Sequence, residues 1–492
     1  MLNSKNKIKF GTDGWRDIIA DNFTFENVRL AAFSIGKYLI DNKITDKGIF
    51  IGYDNRFLSE EFALQSAYAL YSMGIKVYLS KESIPTPVTA FMVLNLKLNG
   101  AIMITASHNS PKYNGIKFIP DYAGPAEDFI TKEIEKNISF FLENKDNIPS
   151  LKNYDDFLKN IIYIDDFSKY KEHLFEIINI DLIKKANIKV VADTMYGAGS
   201  VILTEIITND LDLKSKILNN HRDAFFGGKL PDPSNANLQN LKNNIIKYSF
   251  DIGVALDGDA DRFGVIDRKG IFISPNNVIS LILYYLASVK KLNGIEGKKY
   301  SAVRTVATTH LIDEICLKYN INLIETPVGF KYVGSQIRKG DVIIGGEESG
   351  GLSIIGHIPE KDGILADLLL LEIQSYLKLN KNNISISQYL EEIYKEFGYF
   401  YSERIDIKVP FEKMEYILNY FKNLKDFSIN NIKINEILLK DGVKLILNNK
   451  SWFLIRASGT EPLIRCYIES RDKDFFNDLK NYLIMKFDDL LK

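Results

Sequence analysis

Cysteine is almost absent: the 492 residues hold two, Cys316 and Cys466, far apart and outside any CxxC pair. That excludes a disulfide framework and a cysteine-based zinc site, and it fits a reducing compartment in which both thiols pack into cores. An excess of charge is missing as well. The 62 Lys and Arg face 63 Asp and Glu, a formal charge of −1. The basic residues are scattered, so no electrostatic footprint for nucleic acid or an anionic membrane surface exists, and an anionic ligand must be met locally. Long apolar runs are lacking too. The longest, 278–289, contains Ser280 and is too short to span a bilayer, and the opening MLNSKNKIKF has no apolar signal-peptide core. A cytoplasmic location without membrane or nucleic-acid partners is therefore expected.

What is present is an ordinary globular composition, 46% hydrophobic, at a length that allows about three to five domains. Short β-branched runs alternate with longer helical patterns. GIFIGYD (48–54), IKVYLS (75–80), GAIMITA (100–106), IKVVADT (188–194), DIGVALD (251–257), YSAVRTVATT (300–309) and DVIIGGE (341–347) all read as strands. This is the grammar of an α/β protein with parallel or mixed sheets. The Asn/Lys/Asp-rich stretch 143–166 reads as a helical linker with loops; the segment 271–277, where Ser-Pro-Asn-Asn supplies turn chemistry and a helix start, and the segment 379–383 mark further joints. The resulting domains are 1–162, 163–271, 272–383 and 384–492. The last is smaller and α+β: helices, then strand-rich KINEILLKDGVKLILNN, SWFLIRAS and LIRCYIES with Asp-Gly and Asn-Asn-Lys turns, then a closing helix. An apolar strand feeding a polar, glycine-marked loop recurs at Ala106, Leu256 and Gly345, and ligands on open α/β sheets collect beyond such strand ends.

Four loops carry groups that could do chemistry. TASHNSPKYNGIKF (105–118) places Ser107 at a strand end, where the bland alternative is a turn or cap serine. A serine-hydrolase reading fails, because there is no GxSxG elbow and the adjacent His108 is not expected to aim its ring at Ser107. Lys117 could add a cation and proton carrier, which suits phosphate chemistry better than acyl transfer. LDGDADRFG sets Asp257, Asp259 and Asp261 at every second position, which in an extended loop puts three carboxylates on one side. Such a cluster repels itself unless a hard cation sits there, or unless it is merely a solvated acidic turn. An EF-hand is excluded, since Arg262 and Arg268 stand where glycine and glutamate are required and strands flank the loop. IIGGEESGG (343–351) offers Glu347, Glu348 and Ser349 either to sugar hydroxyls or as a helix N-cap with an acidic first turn, and HIPEKDG presents Lys361 ten residues on. RASGTEPLIR (456–465) joins two strands; Arg456, Ser458, Gly459, Thr460 and Arg465 form a phosphate-binding set, unless the arginines are simply exposed.

TASHN, DGDADR, GEESGG and RASGTEP, in this order and spacing, with KFGTDGWR, GYDNRFLSE and ETPVGFKYVG, resemble the α-D-phosphohexomutases over essentially the whole chain. The resemblance implies three related α/β domains and a smaller fourth, and an enzyme that moves phosphate between C1 and C6 of a hexose. Ser107 would be the phosphoserine. Asp257, Asp259 and Asp261, together with the seryl phosphate on Ser107, would hold Mg²⁺. Arg16, Lys117, His108 and Lys361 would surround the reaction, and Glu347, Ser349, Gly329, Lys331 and Arg262 would meet the substrate. The 456–465 loop would grip the phosphate that is not reacting, and glucose 1,6-bisphosphate would be intermediate and activator.

Two departures from the family pattern matter, the first for the rigidity of a turn and the second for specificity. HNS replaces the common HNP at 108–110, and Gly351 stands where bifunctional phosphomannomutase/phosphoglucomutases carry a histidine, which shifts weight to Lys361. The loop also lacks the glutamine of the GEQSGH pattern of phosphoglucosamine mutases. Phosphoglucomutase is thus the expectation, phosphomannomutase or a dual enzyme the alternative, and phosphoglucosamine mutase the weaker one, acting as monomer or homodimer. Two other classes compete. A dehalogenase-like phosphatase would use Asp257, but Ala260 and Asp261 do not suit its motif; a sugar-phosphate sensor would need no seryl phosphate.

Overall fold

The computed structural model describes residues 8–11, 13–292, 299–458 and 462–492. The chain divides into two compact units, Met1–Val278 with Gly329–Ser387, and Ile279–Val328 with Gln388–Lys492.

In the first unit the apolar runs of the amino-terminal segment become Ile49–Tyr53, Val77–Ser80 and Gly100–Ile104, which pair in parallel. Both faces are covered by helices, which is why these strands are apolar almost throughout rather than alternating. Tyr113–Pro120 returns antiparallel to Gly100–Ile104 and carries Trp15–Ile18 on its other side, so the sheet is mixed. The stretch expected to be a helical linker does hold the helix Tyr154–Asn160, but it also supplies the strand Ile162–Ile164, parallel to Val77–Ser80. Three residues are too few for any periodicity to register, and only the open edge beside them provides their ladder. The helix Phe25–Asp41 starts where Thr24 accepts from the amide of Asn27, and its inner face packs with Val28, Ile35 and Leu39 into the core under the sheet.

The second sheet repeats the plan. Ile252–Leu256, Val190–Asp193 and Ser215–Leu218 are parallel, and Phe263–Asp267 returns antiparallel beside Ile252–Leu256. A third hairpin pairs Val342–Glu347 with Gly351–Ile354. The strand-then-polar-loop repeat is therefore an antiparallel hairpin used three times, with Ser107, the three aspartates and Glu347 each at its bend. The helix Gly363–Asn380 follows the third hairpin; the side chain of Asp362 caps it by accepting from the amide of Leu365.

In the second unit Ser301–Thr305 and Asn322–Thr326 pair in parallel. The carboxyl-terminal segment is an antiparallel sheet whose central strands are Leu463–Ser470, Trp452–Ala457 and Val443–Leu447. The helices Phe411–Lys422 and Lys473–Leu491 contribute Phe421, Leu479, Leu483 and Phe487 to the core on this sheet. The fold is thus α/β with mixed sheets followed by a smaller α+β domain. Cys316 and Cys466 are both free and buried. Among the described residues no helix is long and apolar enough to cross a membrane.

Candidate active site

The bend that carries Ser107 is built on a buried arginine. Arg56 donates to the carbonyls of Ser107 (2.5 Å), Asn109 (2.6 Å), Ser110 (2.8 Å) and Tyr113 (3.0 Å) and pairs with Asp54 at 3.2 Å. Asp54 in turn accepts from the hydroxyls of Thr105 and Ser59. Four loop carbonyls directed at one guanidinium give the loop a single shape, and they leave Ser107 with φ +51°, in the left-handed region. The expectation that His108 cannot reach Ser107 is overturned here. Its Nδ1 lies 3.3 Å from Ser107 Oγ, because the left-handed turn at Ser107 brings the adjacent side chain round. Burial, then the charges of Arg262 and Arg16, hold the His108 imidazole well below its ordinary pKa. Arg56→Met should strip Asp54 of its charge partner in a dry site and cost about 3–5 kcal/mol. Thermal unfolding should register it; an unchanged melting curve would show that Arg56 does not hold this loop.

Ser107 Oγ donates to Asp257 Oδ2 at 2.9 Å, across from the first hairpin to the second. The approach is close: a Cβ on Gly258 would lie 2.6 Å from the Ser107 carbonyl oxygen. The 257–261 segment is a turn, not the extended loop expected, with Asp257 Oδ1 accepting from the amide of Arg262 and Ala260 at φ +58°. The three carboxylates still converge, each buried, with one oxygen apiece all within 4.8 Å of one another. Asp259 Oδ1 and Asp261 Oδ1 are buried without a hydrogen-bond partner. Three converging carboxylates, two of them with an unsatisfied oxygen, fit a hard divalent cation.

Cations surround this cluster. Lys117 Nζ lies 3.0 Å from Asp259 Oδ2, 3.2 Å from Asp261 Oδ2 and 2.9 Å from Asp13 Oδ2; Lys361 Nζ lies 2.9 Å from Asp261 Oδ2. Burial works against both ammonium groups, yet the carboxylates outweigh it and hold both lysines above the ordinary value. Asp257 goes the other way. Burial and then the neighbouring Asp259 and Asp261 push its carboxyl well up. Arg262 Nε is 3.9 Å from Asp261, and Arg16 Nη1 donates to Asn109 at 2.9 Å.

The third bend is a hairpin turn between two strands, which removes the helix N-cap alternative for Glu347–Ser349. Glu347 accepts from the amide of Gly329 at 2.8 Å, and burial, followed by the charge of Glu348, raises its carboxyl to about 7. Gly329, at φ +130°, opens the helix Phe330–Ile337 in a conformation other residues rarely adopt. Lys331 is turned to Asp128, 2.5 Å away. Gly351 matters sterically, since a Cβ there would stand 2.4 Å from Lys361 Cδ. Its bare backbone is what lets the Lys361 stem pass.

In the other unit Arg456 and Arg465 are register partners on neighbouring strands, Arg456 Nε is 3.0 Å from Asp441, and the amide of Ser458 donates to the carbonyl of Leu463. Gly459 and Thr460 lie outside the described residues. Three residues of the site were not singled out in the sequence: Arg56, Asp13 and Thr86, whose hydroxyl donates to Asp259 at 2.6 Å. Arg56 and Asp13 sit inside GYDNRFLSE and KFGTDGWR, so their segments were visible although their partners were not. Thr86 had no local signal.

Known proteins share this architecture. Models of phosphoglucomutase/phosphomannomutase alpha/beta/alpha domains I, II and III match residues 7–142, 168–270 and 274–397, and that of the C-terminal domain matches 408–484. A phosphoglucosamine/phosphogalactosamine mutase of Sulfurisphaera tokodaii is 32% identical over 96% of this chain and 98% of its own. A phosphoglucomutase/phosphomannomutase of Thermococcus kodakarensis is 28% identical over 94% and 95%. The crystal structure of a candidate phosphomannomutase from Thermus thermophilus has a TM-score of 0.79 at 28% identity, covering 97% of this chain and 99% of that one. The chain belongs to the phosphoglucomutase/phosphomannomutase family, the α-D-phosphohexomutases. It is an enzyme of the intramolecular phosphotransferase class.

Proposed function

We propose that the protein interconverts glucose 1-phosphate and glucose 6-phosphate by way of a phosphoserine at Ser107 and a bound glucose 1,6-bisphosphate. The observation that carries this reading is the buried Ser107 hydroxyl 2.9 Å from a converging three-carboxylate cluster contributed by a second hairpin. In sequence, each of the segments 1–162, 163–271, 272–383 and 384–492 carries one of the four candidate loops. Asp257, Asp259 and Asp261, with the seryl phosphate, would hold Mg²⁺, which supplies electrostatic stabilisation of the phosphoryl group. Lys117, Lys361 and Arg16 add fixed positive charge, and as ammonium groups the lysines can give a proton to the oxygen that loses the phosphoryl group. When Ser107 attacks the bisphosphate, its Oγ–P bond forms, the sugar O–P bond breaks, and the hydroxyl proton leaves to a base beside Oγ, Asp257 Oδ2 at 2.9 Å or His108 Nδ1 at 3.3 Å. Glu347 and Ser349 accept and donate at sugar hydroxyls; Gly329, Lys331 and Arg262 line the substrate; Arg456, Ser458, Gly459, Thr460 and Arg465 bind a substrate phosphate.

Glucose is favoured by the GEESGG loop and by Gly351 leaving room for Lys361. A second reading, glucosamine phosphate, is favoured by the name of the Sulfurisphaera tokodaii relative and carries more weight than the loop motif alone assigned to it. Comparing kcat/KM for glucose 1-phosphate, mannose 1-phosphate and glucosamine 1-phosphate, with glucose 1,6-bisphosphate present, separates the readings. The glucose ester should be fastest, with mannose within about a hundredfold, since one epimeric hydroxyl is worth roughly 1–3 kcal/mol. A glucosamine value tenfold above glucose would replace the assignment.

A further inference from the structure

Lys117 and Lys361 stand where two demands conflict. Their ammonium groups rest on Asp259 Oδ2 and Asp261 Oδ2 at 2.9 to 3.2 Å, and these same carboxylates belong to the cation cluster. An ammonium group and a divalent cation drawing on the same carboxylates repel each other, so tight lysine pairing opposes metal binding. Both lysines have a further carboxylate within reach. Asp13 Oδ2 lies 2.9 Å from Lys117 Nζ, 3.6 Å from Lys361 Nζ and 3.8 Å from Arg16 Nη2, and Asp13 is not among the three clustered aspartates. Its place is fixed by the strand Trp15–Ile18, which pairs with Tyr113–Pro120, the strand that carries Lys117. Gly14 between them is held close, since a Cβ there would stand 2.4 Å from the Ile116 carbonyl oxygen.

We propose that Asp13 is a positioning residue that draws Lys117 and Lys361 away from Asp259 and Asp261 when a divalent cation binds, so that cation and ammonium groups occupy the site together. The inference rests on reading 257–261 as the cation site. Asp13 acts on the metal through the lysines and does not ligate it. Without its charge the lysines stay on Asp259 and Asp261 and compete with the metal.

Titration calorimetry of Mg²⁺ into the dephosphorylated full-length protein tests this with wild type, Asp13→Asn, Lys117→Met and the double variant. Asp13→Asn should weaken Mg²⁺ about tenfold, and adding Lys117→Met should recover most of that loss, the non-additivity expected of groups that act through one another. Asp13→Glu, which keeps the charge, should bind Mg²⁺ as wild type does. Loss of a nearby negative charge alone would weaken Mg²⁺ by the same factor in both Lys117 backgrounds. That additive result, or an Asp13→Asn affinity equal to wild type, overturns the role of Asp13 and leaves the cation site standing. Wild type that takes up no Mg²⁺, or Asp259→Asn that binds it unchanged, overturns the cation site and this inference with it.

Discussion

Ser107→Ala should reduce turnover by on the order of 10³-fold or more, because on the proposed mechanism it removes the atom that gives and takes the phosphoryl group. The Ser107 side chain is buried and its Oγ donates to Asp257, so alanine leaves a small polar gap without disturbing the Arg56 hydrogen bonds, which reach backbone carbonyls of the loop. The fold should therefore survive. Intact-mass measurement provides the sharper check. Wild type should show a fraction one phosphate heavier, and the variant should show none. Turnover near wild type, or a phosphate that persists in the variant, would remove Ser107 from the reaction.

Asp259→Asn is expected to lower kcat on the order of 10² or more. Asparagine keeps the shape and can still accept from Thr86, so the loop remains in place while the negative charge that faces Lys117, and would face the proposed cation, is lost. Activity measured over a range of Mg²⁺ concentrations should show the variant needing more metal than wild type. If wild type turned over normally in EDTA, the carboxylate cluster would have no part in catalysis.

The strands around each candidate loop were legible in the sequence because each is a short, nearly continuous apolar run, and burial on both faces demands such runs regardless of what packs there. Ile162–Ile164 was not, since an edge strand of three residues has no pattern of its own and exists only because Val77–Ser80 offers hydrogen bonds. The loop chemistry was legible for a similar reason. Asp257, Asp259 and Asp261 lie within five residues, so local spacing brings them together whether the backbone is extended or, as here, turned.

Groups that act across the fold were hidden. Arg56 reads as one more charged residue until four carbonyls from 107 to 113 are seen around it, and Asp13 as a turn residue until Lys117 and Lys361 arrive from segments about 100 and 350 positions away. The side-chain direction of His108 was also misjudged, because Ser107 adopts a left-handed φ that its sequence does not signal. By itself the sequence determined the α/β class, the order of the loops and the reactive groups each one carries, since these follow from local pattern and residue chemistry. Only the tertiary structure decided which charges neutralise one another, which carboxylate oxygens are left for a cation, and that a glycine at 351 makes way for Lys361. Those outcomes depend on distances between residues far apart in the chain, and burial then sets their electrostatic weight.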